Sequence, residues 1–167
     1  MEKTLVIFKP DSVMRGIVGN VLTRFEQAGF KIVGMKMVKA NDKQLHIHYE
    51  NIGKLKTRKG DKIFESQLSS MQDGPVILMI LEGIEAVLNV RKMVGETEPK
   101  TALPGTIRGD FAHANYSSAA GVGKGIANIV HASATTDEAE LEIKHWFSNE
   151  EIFDYKIVHE QFTLPQM

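Results

Sequence analysis

A chain of 167 residues, of which 43% are hydrophobic, has the length and apolar content of one compact domain, so we expect a single domain over residues 1–167. Its formal net charge of −1 creates no overall field that would attract nucleic acid or an anionic membrane. The absence of cysteine excludes disulfide bonds, thiolate catalysis and zinc–cysteine sites.

Targeting and membrane signals are not expected from the apolar runs. The run after Met1 is shorter than a signal-peptide core, and no run reaches the length of a membrane span. We therefore expect a cytoplasmic protein with no membrane partner and no specific nucleic-acid partner.

The first part of the chain alternates predicted strands and helices. Residues 5–8 are a β-rich apolar run that a proline ends, which predicts a strand with Lys9 at its end. Helical spacing of apolar residues predicts a helix over 17–28, which Gly29 ends. Alternation of apolar and polar residues predicts a second strand over 30–38.

The middle of the chain contains a helix, a break and the most apolar run. Asn41 or Asp42 is expected to cap a helix that continues through Tyr49. Residues 53–60 are a lysine-rich break that we expect to be exposed. The unbroken apolar run over 76–81 predicts a central strand covered on both faces.

A further helix and a long irregular stretch follow this strand. Four apolar residues at helical spacing predict a helix that contains Arg91 and ends at Gly95. Residues 95–125 lack periodicity and are too long for an idle connection, which indicates a functional or mobile segment. The apolar residues that mark the helix are Ile84, Val87, Leu88 and Val94.

The last part of the chain predicts one more strand and one more helix. Strand character returns over 125–130, and Thr135 with Glu138 fits a helix capping box. Glu142 lies at the edge of the apolar stripe of this helix, where we expect it to be partly buried. The alternation of elements predicts an α+β sandwich, in which helices pack on one sheet. The stripe consists of Ala139, Ile143, Trp146 and Phe147.

His131 is the candidate nucleophile of this chain. It follows the last predicted strand, and Glu142 comes eleven residues later as a possible partner carboxylate. A neutral imidazole nitrogen can attack a phosphoryl group, hold it covalently and release it again. Taken alone, however, a histidine at a strand end is more often a satisfied structural residue.

Other chemistry-bearing residues also have plain structural interpretations when taken singly. Lys9 and Arg91 would be solvated charges, and Glu142 would be a carboxylate on a helix surface. The alternate histidines His46 and His48 point apart on a helix and lack further ligands, so we expect a surface role for them rather than metal binding. The glycine cluster at 121–125 lacks the residues of a Walker phosphate loop.

Five motifs nevertheless occur in a fixed order along the chain. They are Thr4-Leu5-Val6-Ile7-Phe8-Lys9-Pro10-Asp11, Arg15-Gly16-x-x-Gly19, Arg91-x-x-x-Gly95-Glu96-Thr97, Pro104-Gly105-Thr106-Ile107-Arg108-Gly109 and Asn128-x-x-His131-Ala132-Ser133. Together they resemble the nucleoside diphosphate kinase family over nearly the whole chain. The resemblance implies a ferredoxin-like fold, with helices packed on an antiparallel four-stranded sheet. It also implies transfer of the terminal phosphate of a nucleoside triphosphate to a nucleoside diphosphate, by a ping-pong reaction through phospho-His131.

The same resemblance implies roles for the catalytic residues. Glu142 would hold one ring nitrogen of His131 so that Nδ1 attacks, and Ser133 would support Glu142. Tyr49 would lie near the histidine. Lys9 would bind sugar hydroxyls and approach the reacting phosphate.

The implied nucleotide site binds ATP and other nucleoside diphosphates and triphosphates. Arg91 and Thr97 would hold the phosphates, Arg108 would also contact them, and Asn128 would bind the sugar. Either Ile63 or Phe64 would cover the base. Mg²⁺ would arrive bridging the nucleotide phosphates, so we expect no fixed metal site in the protein.

The chain also departs from the family pattern. Ala134 replaces the aspartate that usually follows the active-site serine, which predicts weaker local order but not lost chemistry. Two insertions, one between Tyr49 and Ile63 and one between Arg108 and Asn128, would flank the nucleotide cleft.

Family resemblance implies a homo-oligomer, either a hexamer or a tetramer built on a common dimer. Pro99 would lie in the loop that supports trimer contacts, and the tail from residue 150 would pack across a neighbouring subunit. Two other interpretations remain: a catalytically impaired nucleotide-binding regulatory relative, and a structural assembly protein. The second gives no reason for the cleft residues to occur together.

Overall fold

A single antiparallel sheet of four strands organises the computed structural model, which describes residues 1–163. The strand order is β2-β3-β1-β4, and every neighbouring pair is antiparallel. This arrangement confirms the predicted ferredoxin-like α+β fold. The strands are β1 (Glu2–Phe8), β2 (Lys31–Val38), β3 (Val76–Gly83) and β4 (Val130–Ala132).

Helices cover both faces of the sheet, and most of them are short. A π-helical turn, Ile47–Ile52, continues α3 directly, and 3₁₀ turns cover Pro99–Thr101 and Asn149–Glu151. The α-helices are α1 (Pro10–Met14), α2 (Val18–Gln27), α3 (Asp42–His46), α4 (Leu55–Lys59), α5 (Asp61–Met71), α6 (Ala86–Val94), α7 (Ile107–Phe111), α8 (Tyr116–Gly121), α9 (Thr136–Trp146) and α10 (Glu160–Thr163).

Alternating side chains of the central strands divide the core into two layers. Val6 and Phe8 of β1 face α2 and α6, whereas Leu5 and Ile7 face α5 and α9. All eight residues of β3 are buried, which confirms the prediction of a central strand covered on both faces.

Three predictions about local structure were wrong. Strand pairing covers only Val130–Ala132 rather than the run that starts at residue 125, because the preceding segment turns away to contact α5. Ile84 and Leu88 are exposed, and α6 buries Val90 in addition to the predicted Val87 and Val94. The break at 53–60 contains α4, although it is mostly exposed as expected.

The C-terminal segment packs along β2 of its own chain, and its packing across a neighbouring subunit stays a prediction. The backbone N–H of Phe153 donates to the carbonyl of Val33 at 2.7 Å, and the Tyr155 hydroxyl donates to the carbonyl of Ile32 at 2.6 Å. Lys31 pairs with Glu82 of β3 at 3.1 Å. The end of the predicted tail, residues 164–167, lies outside the described residues.

Within residues 1–163, no helix is both long and apolar enough to cross a bilayer.

Candidate active site

His131 lies in the short edge strand β4, opposite Ile7 of β1. Its neighbours Val130 and Ala132 point into the core layer formed with α6. Because successive side chains of a strand point to opposite faces, the ring of His131 points toward α9 and the π-helical turn.

An unusual backbone conformation precedes this strand. Ile129 is fully buried and has φ +74°, a left-handed conformation that a β-branched residue rarely adopts. Two contacts hold it: its N–H donates to Oδ2 of Asp11 at 3.1 Å, and its carbonyl accepts from the N–H of Lys9 at 2.9 Å. Strained residues of this kind occur mostly at functional sites, and here the strain sets the approach of the chain to His131.

A chain of hydrogen bonds fixes the orientation of the His131 ring. Nε2 of His131 lies 2.8 Å from Oε1 of Glu142, and the Ser133 hydroxyl donates to Oε2 of Glu142 at 2.6 Å. Glu142 and Ser133 are fully buried, whereas the His131 side chain is 19% exposed. The ring therefore presents its other nitrogen, Nδ1, away from the carboxylate.

Burial determines the protonation of this pair. Desolvation lowers the pKa of His131, and the cationic side chains of Lys9, Arg108 and Arg91 lower it further against an opposing effect of Glu138. Desolvation raises the pKa of Glu142, which hydrogen bonding to Ser133 opposes. A neutral imidazole with its proton on Nε2 satisfies this geometry, and its Nδ1 then carries a free lone pair.

His48 is buried beside this pair, so the expectation of a surface role was wrong for it. The π-helical turn directs both His48 and Tyr49 inward, and they are 1% and 9% exposed. Nδ1 of His48 lies 3.4 Å from Oε1 of Glu142. The ring centroid of Tyr49 lies 6.4 Å from that of His131, as expected for a residue near the histidine.

Two buried cations contribute positive charge to the site. Desolvation and the nearby charge of Arg108 together lower the pKa of Lys9 to about 8, against an opposing effect of Asp11. The guanidinium of Arg108 donates to the carbonyls of Asn128, Gly95 and Val130 at 3.1, 2.9 and 2.7 Å. Arg108 thus joins the segment that precedes His131 to the end of α6.

Arg91, Thr97 and Asn128 lie on the remaining side of the site. Arg91 is exposed, and its guanidinium donates to the carbonyl of Ala132 at 3.3 Å. Asn128 is buried and donates through Nδ2 to the carbonyl of Thr97 at 2.7 Å. Its Oδ1 has no hydrogen-bond partner among the residues that the structure describes.

The two candidates for covering a base lie in very different environments. Phe64 is 6% exposed and packs in the core, where its ring meets that of His46. Ile63 is 49% exposed on the first turn of α5. Of this pair, only the side chain of Ile63 is accessible from solvent.

Two cavities are lined by residues of the site, although the lining of neither includes His131, Ile63 or Phe64. One of about 660 Å³ is lined by Arg91, Thr97 and Ala134 among others. Another of about 300 Å³ is lined by Lys9 and Asp11 on one side and by residues 114–127, part of the second insertion, on the other.

The second insertion is anchored on α5. The N–H of Gly125 donates to the Ser66 carbonyl at 3.0 Å and to the Ser70 hydroxyl at 2.7 Å. Lys124 pairs with Asp73 at 2.6 Å. The insertion is therefore an ordered wall beside Lys9 with its own helix, α8.

The loop around Ala134 makes hydrogen bonds with the start of α9 although the usual aspartate is absent. The N–H of Ala134 donates to Oε2 of Glu138 at 2.9 Å, and the Thr135 hydroxyl accepts from the N–H of Glu138 at 3.1 Å. These hydrogen bonds cap the N-terminus of α9.

A search for metal ligands within residues 1–163 gives one trio, His48, His131 and Glu142, whose ligand atoms lie within 4.8 Å of one another. Two of its three ligands are nitrogen atoms, and Mg²⁺ prefers oxygen ligands and water. This trio is therefore unsuited to Mg²⁺.

Comparison with known proteins assigns the chain to a family. The family model described as nucleoside diphosphate kinase matches residues 2–152. The chain belongs to the nucleoside diphosphate kinase family. A nucleoside diphosphate kinase of Pyrococcus furiosus is 44% identical, over 93% of this chain and 88% of the relative.

Solved structures agree with this assignment. A transition-state mimic of nucleoside-diphosphate kinase from Borrelia burgdorferi, with bound vanadate and ADP, superposes with a TM-score of 0.93 at 39% identity. It covers 97% of this chain and 96% of its own. The halophilic nucleoside diphosphate kinase from Halobacterium salinarum in complex with CDP gives a TM-score of 0.82 at 32% identity, over 96% of this chain and 97% of its own.

Sequence reasoning overlooked His48 and Asp11 as parts of this site. Asp11 lay in the motif that follows β1, but only the tertiary structure shows that it holds Ile129. His48 precedes Tyr49 directly, and that adjacency was the available signal. An α-helical interpretation of residues 46–49 concealed it, because the π-helical turn changes where these side chains point.

Proposed function

We propose that the protein exchanges the terminal phosphate between nucleoside triphosphates and diphosphates through a phosphohistidine at His131. The observation that carries this proposal is the 2.8 Å contact between Nε2 of His131 and Glu142, which leaves Nδ1 available at a site with three cations. Membership of the nucleoside diphosphate kinase family supports the reaction.

The chemistry takes place in two matched halves. The lone pair of Nδ1 attacks the terminal phosphorus of the donor, the bond from that phosphorus to the bridging oxygen breaks, and the diphosphate leaves with the bonding electrons. Glu142 stabilises the positive charge that develops on the ring, through the Nε2 proton. A second diphosphate then attacks the phosphohistidine by the reverse route.

Phosphate recognition falls to residues on three segments. Lys9 and Arg91 would neutralise charge on the transferring group, and the hydroxyl of Thr97 would contact the phosphates. Arg108 would act beside them, although its guanidinium already donates to three carbonyls.

Sugar and base would be bound by groups that the structure leaves available. Asn128 Oδ1 would accept from a sugar hydroxyl, and Ile63 would cover the base. Aliphatic cover and phosphate contacts distinguish purines from pyrimidines weakly, so broad base tolerance is expected.

Magnesium would enter with the nucleotide. The ion supplies charge neutralisation on the phosphates when it is bound there, and Arg91 and Thr97 are the residues that would face the complex. No protein cage is needed for this role.

Assembly as a hexamer or a tetramer of dimers remains a prediction from the family, as does the cytoplasmic location. Pro99 is buried in its 3₁₀ turn, and this turn would form part of the subunit contact.

A phosphate-exchange assay tests the proposal. With ATP as donor and several diphosphates as acceptors, the intact protein should exchange phosphate and carry an acid-labile phosphate after incubation with ATP alone. The variant His131→Ala should lose both while still binding ADP. Exchange that persists in His131→Ala would rule out the phosphohistidine route.

The regulatory alternative is not favoured. It depended on a loss of turnover through Ala134 and the two insertions, whereas the family model and the relatives are described as nucleoside diphosphate kinases. The hydrogen bonds that Glu138 makes around Ala134 also leave the loop connected to α9. Nucleotide binding without phosphate on His131 would reinstate it.

A further inference from the structure

His48 contacts both members of the catalytic pair, His131 and Glu142. Its ring centroid lies 4.6 Å from that of His131 at an interplanar angle of 82°, an edge-to-face contact. Its Nδ1 also approaches the oxygen of Glu142 that His131 uses. Any shift of this ring would change both the plane of the nucleophile and the position of its carboxylate.

Trp146 determines which protonation state of His48 fits. The indole N–H of Trp146 donates to Nδ1 of His48 at 3.3 Å. An indole nitrogen is a donor only, so Nδ1 of His48 must be the acceptor and carries no proton. A proton on Nδ1 would instead donate to Oε1 of Glu142 and compete with His131 for that oxygen.

Burial favours the same neutral form. Desolvation and, to a smaller extent, the adjacent His131 lower the pKa of His48 to about 3, against an opposing effect of Glu142. In this neutral tautomer the proton lies on Nε2, a buried atom with no partner among the described residues. A buried histidine with only a structural role would be expected to form hydrogen bonds through both ring nitrogens. His48 forms one only through Nδ1, the nitrogen that faces Glu142.

We propose that His48 is a positioning residue: its neutral ring, fixed by Trp146, holds the plane of His131 and leaves Oε1 of Glu142 to the nucleophile. This inference rests on the proposed role of His131. It assigns the effect to the aromatic ring and the absence of a proton on Nδ1, and not to positive charge at His48.

Two substitutions distinguish the effect of the His48 ring from the effect of its nitrogen atoms. His48→Ala removes the edge-to-face contact, so we expect the rate of His131 phosphorylation by ATP to fall tenfold or more while ADP affinity changes little. His48→Phe restores a ring edge that cannot donate a proton, so it should recover most of the rate. Phe leaves the Trp146 N–H without its acceptor, so its melting temperature should remain below that of the wild type.

Nitrogen-15 NMR provides a readout that a structural role would not change. In the wild type, His48 should be protonated on Nε2 only, and His131 also on Nε2. In His48→Ala, a fraction of His131 should shift to the Nδ1-protonated tautomer. His46→Ala is the matched control, because His46 is exposed on the same helical segment and should leave both rate and tautomer unchanged.

Several results would overturn the inference. A His48→Ala protein that phosphorylates at the wild-type rate, or a folded His48→Phe protein as slow as Ala, would remove the role of the ring. If His48→Ala does not fold, a proton on Nδ1 of His48 in the wild type would suffice to reject it. Failure of the wild type to form phospho-His131 would instead reject the proposed function.

Discussion

Oε1 of Glu142 lies 2.8 Å from Nε2 of His131, and the Ser133 hydroxyl holds the other oxygen of the same carboxylate at 2.6 Å. Both oxygens of a fully buried carboxylate are thereby fixed, and through them the tautomer and direction of the histidine. A nucleophile aimed in advance loses little entropy when it reacts, which is the main contribution a protein makes to phosphoryl transfer.

Replacing the supporting hydroxyl should weaken this arrangement. Ser133→Ala leaves a buried carboxylate oxygen without its donor, which costs about 1–3 kcal/mol and should slow His131 phosphorylation roughly tenfold. Rapid-quench measurement of phosphoenzyme formation checks the rate, and urea unfolding checks the stability.

Thr4→Val is the matched control for the lost hydroxyl. Thr4 is fully buried, and its Oγ1 has no hydrogen-bond partner within residues 1–163. Valine has the same shape, so stability and rate should be unchanged or improved. A Ser133→Ala protein as fast as this control would contradict the proposed support of Glu142.

The pH dependence of kcat/KM should report Lys9. Its pKa is lowered to about 8, so the amine is charged below that pH and loses its charge as the pH rises through it. Activity toward anionic nucleotides should therefore be full below pH 8 and decline above it, by roughly 100-fold at full deprotonation.

Lys9→Met separates this effect from alkaline unfolding. The variant lacks the amine, so its kcat/KM should be low and flat between pH 7 and 10, while circular dichroism shows that it stays folded. A wild-type profile without a decline in that interval would show that Lys9 does not act as a cation in binding.

The contact between the second insertion and α5 can be tested with a pair of glycines. A Cβ on Gly125 would lie 2.8 Å from Oε1 and 3.0 Å from Cα of Gln67, so Gly125→Ala should push the insertion off α5. Because this wall lines the cavity beside Lys9, KM for nucleotides should rise by roughly threefold to tenfold. Limited proteolysis should then cut within residues 110–125.

Gly121→Ala is its control, since a Cβ there meets nothing within 4 Å. KM and proteolysis should remain as in the wild type. Equal behaviour of the two variants would mean that the docked position of the insertion has no influence on the cleft.

Lys31, the buried lysine of β2, should contribute more to the free energy of unfolding than the exposed ion pair of Lys36 does. The Lys31 side chain is 3% exposed and pairs with Glu82 and Glu160 at 3.1 and 3.3 Å. Lys31→Met removes one of the two cations that pair with Glu82 and leaves Lys3 at 3.0 Å, so the free energy of unfolding should fall by about 2 kcal/mol.

Lys36→Met tests the specificity of that loss. Lys36 pairs with Glu151, whose side chain is 41% exposed, and its removal should cost less than about 1 kcal/mol. Urea titrations of both variants at pH 7 measure the difference. Equal losses would show that burial of the Lys31 pair adds nothing.

Glu82, which pairs with Lys3 and Lys31, should make the protein less stable at acid pH. Hydrogen bonds and charges from Lys3 and Lys31 outweigh burial and hold the pKa of Glu82 below its ordinary value. The stability that Glu82 contributes is therefore present above its unfolded pKa and is lost as the pH falls through its folded value.

Local patterns predicted much of the fold correctly. The run at 76–81 forms the buried β3, and the apolar stripe of α9, from Ala139 to Phe147, is buried as the helical spacing indicated. Such patterns succeed because strand and helix periodicity directly specify which side chains face the core.

The sequence by itself determined the order of the four strands, the buried faces of β3 and α9, and the motif residues, because these depend on neighbours close along the chain. Only the tertiary structure decided that His48 reaches His131, that Arg108 is occupied by three carbonyls, and that Ile63 rather than Phe64 is exposed. These facts depend on contacts between segments far apart in sequence and on the π-helical turn, whose altered winding the apolar pattern does not encode.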